Sequence, residues 1–586
     1  MKAPHQCRFS PALFAFLVLT GLAHPQTKPQ SMNSGDREQK PGYVFRSSTR
    51  LVAVDVIATN SKGEQVTDLR PEDFTLMEDG KTQPIQSFSL IQPETTPAAQ
   101  SNDLQHGVQL PPGVVTNTPQ YQATRSWNIV LLDALNSPVI DQSAMRDRLI
   151  AIVDHLPEQP VAIYVLADRL RLLQDFSSDP ATLKQTLAAL KNTASARLDN
   201  NKGGHEMERY SPVFINSLPR ENLESLLRFE AQGTEARTDS RINTTAEALN
   251  MLVKHLAALP GRKNLIWVGE GFPFSIDPGS IVSASDVASK REMHISVPST
   301  ANVLLEGQVA VYPVDTRGVT GNDAYDAAGR GTDAMGLPET QVGVQSTVSE
   351  IYNAQNATHA SMNELAERTG GRAFYNTNDI GDAIMRSIDD GRIYYALSYK
   401  PQNEHWNGKF RHISVRVNRP GIKLRYRSGY FATDPRGFTL QTQAEQIRGL
   451  QNAMSLATPV STDLLFDAGI IAPSEKTRNL VIVNFAIRSS GISFEQSDDG
   501  THHARVECAV EAFSEKGEPV KSDATKMDAD LPPDVFAKVR ERGFPCRQAL
   551  ELPPGNYRLR LGVRDNVTGS IGTAETTVLV AGGSSH

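Results

Sequence analysis

The chain has 586 residues, well beyond the roughly 250–300 at which a single hydrophobic core stops growing, so several domains are expected. Hydrophobic residues make up 39% and charged residues 21%, a balance that excludes a disordered chain. A net charge of −7 and an aromatic content of 6% argue against nucleic acid as the main partner, because phosphate binding needs a basic surface and base stacking needs rings.

Lys2 and Arg8 precede an apolar run from Phe9 to Ala23, and the small residues Gly21 and Ala23 suit cleavage just after it. Residues 1–23 read as a secretion signal. No later apolar stretch approaches about 20 residues, so no transmembrane segment is expected after cleavage. Residues 24–43, rich in Gln, Lys, Pro and Ser, read as a flexible leader. Residues 44–91 read as a small N-terminal β module: Val52, Val54 and Val56 alternate with Ala53, Asp55 and Ile57, and Asp79-Gly80 is a hairpin signal. The Pro-, Gln-, Thr- and Asn-rich residues 92–124 read as a linker.

From 125 to 400, strand and helix signals alternate, as in a mostly parallel sheet with helices on both faces. Asn128 to Leu132 and Val161 to Leu166 are continuous apolar strands, the pattern of strands buried on both faces. Between them a helix carries Met145, Leu149, Ile152 and Val153 on one stripe. Asp179-Pro180 starts the next helix, with Asp as its cap and Pro in its first turn. The polar stretch 192–240 reads as an insertion, with an inserted helix over Pro219 to Gln232. The clearest helix is expected over about 244–259, stopped by Pro260-Gly261. Strands follow at Asn264 to Val268 and Val309 to Val314, with further insertions near 275–300 and 319–348. A helix over Ser361 to Arg368, another over Ile380 to Ile388 and a last strand over Tyr394 to Tyr399 close the unit. Residues 401–435 read as a β extension, 436–460 as a partly helical connector, and 461–582 as a C-terminal β-sandwich-like domain.

Cys7 lies inside the signal, which leaves Cys508 and Cys546 in the mature chain. In an exported protein the two form one disulfide; the alternative is a pair of separate buried thiols. Arg411, Arg416, Arg419, Lys423, Arg425 and Arg427 read either as a patch for an anionic partner or as outward-facing residues of an exposed strand pair. The chain has no His-Glu-x-x-His helix, no Gly-x-Ser-x-Gly elbow and no Walker-type loop.

Several separated motifs occur in order: Ser126 to Pro138, Pro260 to Trp267, Val311 to Gly318, and the β module ending in Phe74 to Lys81. Over roughly residues 44–431 the chain resembles the acidobacterial von Willebrand factor A-related (VWA-related) family of exported proteins. The resemblance implies a Rossmann-like central domain, flanked by all-β modules, with a metal-ion-dependent adhesion site at the C-terminal edge of its sheet. In that superfamily the first strand ends in Asp-x-Ser-x-Ser, and later loops add a Thr and an Asp. Here Asp133 and Ser137 match the outer positions, Leu135 stands at the middle one, Thr244 or Thr245 supplies the loop hydroxyl, and Glu270 holds the later acidic position. Such a site takes Mg²⁺, or Mn²⁺ or Ca²⁺, and shares it with a partner's carboxylate. The alternative is that Asp133 and Ser137 cap the following segment through backbone N–H groups. Asn136, Asp315 and Arg317 are expected on a partner-binding rim, or Asp315 and Arg317 as a local pair.

The function expected on this reading is non-catalytic protein binding or adhesion, with a protein partner in the envelope or outside the cell. The chain would be periplasmic, cell-surface or secreted. An envelope-associated hydrolase and a purely structural envelope component are the alternatives.

Overall fold

The computed structural model describes residues 51–92, 110–121, 126–156, 159–192, 220–270, 304–305, 307–318, 341–433, 442–473 and 479–581. The signal, the leader, the insertion near 275–300 and most of those near 192–240 and 319–348 lie outside the described residues.

The continuous apolar runs form one five-stranded sheet. In chain order its strands and the helices around it are β1 (Ser126–Asp133), α1 (Val139–Ile152), β2 (Val161–Leu166), β3 (Leu170–Ser177), α2 (Pro180–Ala189), α3 (Arg220–His255), β4 (Arg262–Gly269), β5 (Val309–Asp315), α4 (Gln341–Thr369) and α5 (Ile380–Asp390). The strand order is 3-2-1-4-5. All neighbours are parallel except β3, an antiparallel edge strand on β2. Phe374 adds a parallel bridge to Val314 beyond β5. This is a mixed, mostly parallel sheet of the kind the resemblance implies. Every residue of β1, β2, β4 and β5 is buried because helices cover both faces. Leu249 and Leu252 of α3, Leu256 just beyond its end, and Met362 and Leu365 of α4 pack on Ile129, Leu131 and Val311. Met145 and Leu149 of α1, Leu183 and Leu187 of α2, and Ile384 and Ile388 of α5 pack on Val130, Ile163 and Ala310 from the other side.

Asp179 caps α2 as expected, accepting from Ala181 N and Thr182 N. The inserted helix and the helix expected at 244–259 are instead one 36-residue helix, α3, about 54 Å long. It ends at His255 rather than Leu259. The helix expected at 361–368 likewise begins at Gln341, within the stretch read as an insertion.

The strand Tyr394–Tyr399 does not join the central sheet. It pairs with Val52–Thr59 and Ser87–Ile91, and Lys423–Arg425 extends that sheet. A second sheet pairs Phe410–Val417 with Phe74–Glu78 and Gly429–Phe431. The N-terminal β module and the β extension are therefore two halves of one sandwich sharing one core, with the α/β unit inserted between them. A buried network ties the halves together. Glu78 accepts from Tyr399 OH at 2.7 Å, Tyr430 OH at 2.9 Å and Arg411 Nη1 at 3.3 Å. Arg411 also donates to the carbonyls of Asn403 and His405, each at 2.6 Å. Of the basic residues on these strands, Arg416, Arg419 and Lys423 face solvent, as the outward-facing alternative expects, whereas Arg411 is buried; Arg419 pairs with Asp68 and Arg425 with Asp390.

Part of the stretch read as a linker is a strand, Val114–Thr116, in a sheet with Phe466–Ile471, Leu480–Ile487 and Phe544–Glu551. Facing it, His502–Phe513 pairs with Pro519–Leu531 and Gly555–Asp565, and the latter with Ile571–Val580. The two sheets share one apolar core and are joined by the Cys508–Cys546 disulfide. The connector also belongs to this sandwich: Leu450 and Met454 of the helix Gln443–Met454 pack on Ala509 and Ile571, and buried Arg560 donates to the carbonyls of Ala453, Thr458 and Pro459. Among the described residues, no helix is long and apolar enough to cross a membrane.

Both β modules attach where the central strands begin. Arg262, the first residue of β4, donates its backbone N–H to Tyr394 OH of the split sandwich at 3.3 Å. At the end of α3, His255 Nδ1 lies near Val460 O, and Thr462 N donates to Lys254 O at 2.9 Å, joining the C-terminal sandwich. The opposite edge, where the strands end, is where the candidate site lies.

Candidate binding site at the C-terminal edge of the central sheet

Asp133 ends β1 and is fully buried. Its Oδ1 accepts the backbone N–H of Asn136 at 2.9 Å. Its Oδ2 accepts Asn136 Nδ2 at 2.8 Å and the indole N–H of Trp267 at 2.9 Å. Burial pushes this carboxyl up to about 6 even though the Asn136 and Trp267 hydrogen bonds pull it down. The loop after β1 is pinned to the end of β2, where the Leu166 carbonyl accepts from Ala134 N and Leu135 N, each at 2.8 Å. Gly269 allows the end of β4 to lie against this loop, since a Cβ there would sit 2.9 Å from Asp133 Cβ and 3.3 Å from Ser137 Oγ. The Ser137 hydroxyl accepts the Glu270 backbone N–H at 3.2 Å. Thr245 is fully buried, and its hydroxyl lies 3.3 Å from Asn136 Nδ2.

The fold therefore brings Asp133, Asn136, Ser137, Thr245 and the Glu270 backbone together. Thr244 is not among them: its hydroxyl donates to Ser240 O at 2.8 Å, one turn back along α3. The Glu270 side chain interacts with Asp141 in the first turn of α1. Burial first, then the neighbouring Asp141 carboxyl, push Glu270 up to about 8, while Arg317 pulls it down. Arg317 grips Asp315 at the end of β5, with Nε 3.0 Å from Oδ1 and Nη2 2.6 Å from Oδ2. His359 Nε2 lies 3.3 Å from the same carboxylate, and its ring stacks on Tyr375 with centroids 4.1 Å apart.

These residues do not fit a divalent cation. Both Asp133 oxygens face N–H donors, whose positive ends occupy the directions a metal would need. Leu135, at the middle hydroxyl position, is 1% exposed and packs in the same apolar cluster as Trp267. No group of three or more His, Cys, Asp or Glu suited to a metal occurs among the described residues. The capping alternative describes the geometry better, with Asp133 receiving the Asn136 N–H and Ser137 receiving that of Glu270. The expected rim also needs correction. Asn136 and Asp315 are buried, because their side chains are held by Asp133 and by Arg317 and His359; only Arg317, with its side chain 26% exposed, reaches the surface. Two buried acceptors at this edge, Asn136 Oδ1 and Thr316 Oγ1, have no partner among the described residues.

The sequence reading missed Trp267, because an indole inside an apolar strand looks like core; its N–H was the available signal, since a buried indole donor needs an acceptor. It also missed a polar ladder at the other edge of the sheet. There Asn128 Nδ2 donates to Gln159 at 2.9 Å, Asn264 Nδ2 to Asn128 at 3.0 Å, and Arg262 Nε to Asn264 at 3.1 Å. Arg262 Nη2 then reaches Tyr312 OH at 3.1 Å and Gly370 O at 2.7 Å.

No family model and no curated protein sequence matches the chain. Among solved structures it is similar to an aerotolerance-related membrane protein from Bacteroides fragilis, with 14% identity over 45% of this chain and 99% of that one and a TM-score of 0.22. It is similar to BatB from Bacteroides thetaiotaomicron, with 12% identity over 45% of this chain and 98% of that one and a TM-score of 0.21. A von Willebrand factor type A protein from Catenulispora acidiphila matches at 8% identity over 92% of this chain and 75% of that one, with a TM-score of 0.18. Likeness at this level fixes neither partner nor activity.

Proposed function

We propose that the chain is an exported, non-catalytic binding protein of the VWA-related kind, which docks a protein partner on the C-terminal edge of its central sheet without a bridging metal. One observation carries this reading. The tips of β1, β4 and β5 converge on a hydrogen-bonded group of side chains at the edge opposite the two β modules. The strand ends of an open α/β sheet are where ligands ordinarily sit. Arg317 gives that edge a partly exposed guanidinium held in a fixed orientation by Asp315, and a planar, pre-organised donor of this kind suits a partner's carboxylate or backbone carbonyls.

Export is supported by the apolar N-terminal segment and by the Cys508–Cys546 bridge, since disulfides persist in oxidising compartments. A mature chain beginning at His24, read by mass spectrometry of an envelope or secreted fraction, is the expected outcome.

The test of docking is affinity capture from envelope extracts by the mature chain and by Arg317→Ala, each with and without a chelator. Capture that survives the chelator and is lost in the variant is expected. Capture abolished by the chelator and restored by Mg²⁺, or indifferent to Arg317→Ala, contradicts the proposal.

A further inference from the structure

The strongest unassigned feature lies away from the strand tips, on the open side of the sheet. Among the described residues β3 pairs only with β2, so its outer edge carries backbone groups that no described strand pairs. Between β3 and α2 runs a groove of 540 Å³. Leu173 and Leu190 line it and also pack on the core cluster behind. Thr186 Oγ1 donates to Gln174 Oε1 at 3.0 Å and fixes α2 to the strand.

The charges around the groove are unbalanced. Arg146 and Lys184, on α1 and α2, are answered by Asp147 and Asp154. Arg171 and Lys191, which line the groove, have no acidic partner among the described residues. Arg171 Nε is buried and makes no hydrogen bond, which is costly for a cationic donor. The site therefore combines an open strand edge, an apolar floor and two unanswered cations.

We propose that this groove docks an extended acidic peptide segment of a partner protein, which adds to the edge of β3 and places acidic side chains against Arg171 and Lys191 with an apolar side chain over Leu173 and Leu190. In an extended chain alternate side chains point to the same side, so acidic residues at positions i and i+4 flank an apolar one at i+2 on a single face. Backbone pairing supplies the register, and the two cations select the charge.

The experiment uses the full mature chain and a labelled peptide carrying the pattern Asp-Ser-Leu-Ser-Asp, which sets Asp, Leu and Asp on one face of an extended chain, followed by fluorescence polarisation. Salt-sensitive binding is expected, weakened about tenfold by Arg171→Gln and again by Lys191→Glu. Lys191 is exposed, so its replacement leaves the fold intact and keeps the test decisive if Arg171→Gln alters folding. Arg317→Ala should leave this binding unchanged, which separates the groove from the docking edge. Equal binding by a Lys-for-Asp peptide would overturn the charge selection, and equal binding by a Pro-interrupted peptide would overturn strand addition. Displacement of the peptide by citrate as readily as by unlabelled peptide would show a small-anion site and overturn the proposal.

Discussion

The two edges of the central sheet bury polar groups in opposite ways. Where the strands begin, Gln159, Asn128, Asn264 and Arg262 hand hydrogen bonds along a closed ladder that ends on Tyr312 and Gly370. The split sandwich meets the sheet there, and Asp55 is brought close to Arg262, Arg427 and Lys263. Where the strands end, the carboxyls of Asp133 and Glu270 are held above their ordinary range, and Asn136 Oδ1 and Thr316 Oγ1 lack partners. A satisfied buried network rigidifies, whereas one with open acceptors has hydrogen bonds left to make. One edge serves assembly of the chain; the other is suited to exchange with a partner.

Arg262→Ala gives the largest expected effect. It strands Asn264 Oδ1 and the Gly370 carbonyl and takes one of three cations from half-buried Asp55, so denaturant unfolding should show a loss of about 4 kcal/mol. A loss under about 1 kcal/mol would mean that the ladder does not hold the beginning edge together.

The next largest effect concerns pH. Burial raises the folded-state pKa of Asp133 to about 6, above its unfolded value, so the folded chain binds more protons between the two values. The stability from this group is fully present below about pH 4 and is lost as pH rises through about 6, some 3 kcal/mol in all. Unfolding curves across that window should lose this component in Asp133→Asn. Glu270 carries the same sign through about pH 8, burial and the Asp141 carboxyl being the causes. An unchanged pH profile in Asp133→Asn would place the titrating group elsewhere.

Arg317→Ala should cost about 2 kcal/mol, because it leaves the buried Asp315 carboxylate with His359 as its one side-chain partner among the described residues, while abolishing capture of the partner. Smallest of all is the effect of cations: calorimetric titration with Mg²⁺, Mn²⁺ or Ca²⁺ should give no binding heat, since the Asp133 oxygens already face donors. A saturable heat lost in Asp133→Ala would reverse that reading.

The four strands buried on both faces were legible because continuous apolar runs leave little choice of structure. Pairing was not legible. Tyr394–Tyr399 has the composition of a central strand, yet its partners lie at Val52–Val56 and Ser87–Ile91, and nothing local marks a contact spanning some three hundred residues. The first half of α3 carries Gly233 and a run of polar residues, so the apolar period breaks there although the helix does not. At the site, Asp133, Ser137 and the pair Thr244 or Thr245 came from the family resemblance, and the fold brings Thr245 rather than Thr244 to the group. The change from a metal to a hydrogen-bonded site depends on Trp267, whose indole reaches Asp133 from the neighbouring strand β4 and whose direction no one-dimensional pattern records.

Hydrogen–deuterium exchange on the chain alone and in its captured complex tests the docking edge most directly. New protection is predicted in the loop 134–138 with the first turn of α1 and around 315–318, persisting in chelator. Protection confined to the two β modules, with those loops exchanging as in the free chain, would contradict it.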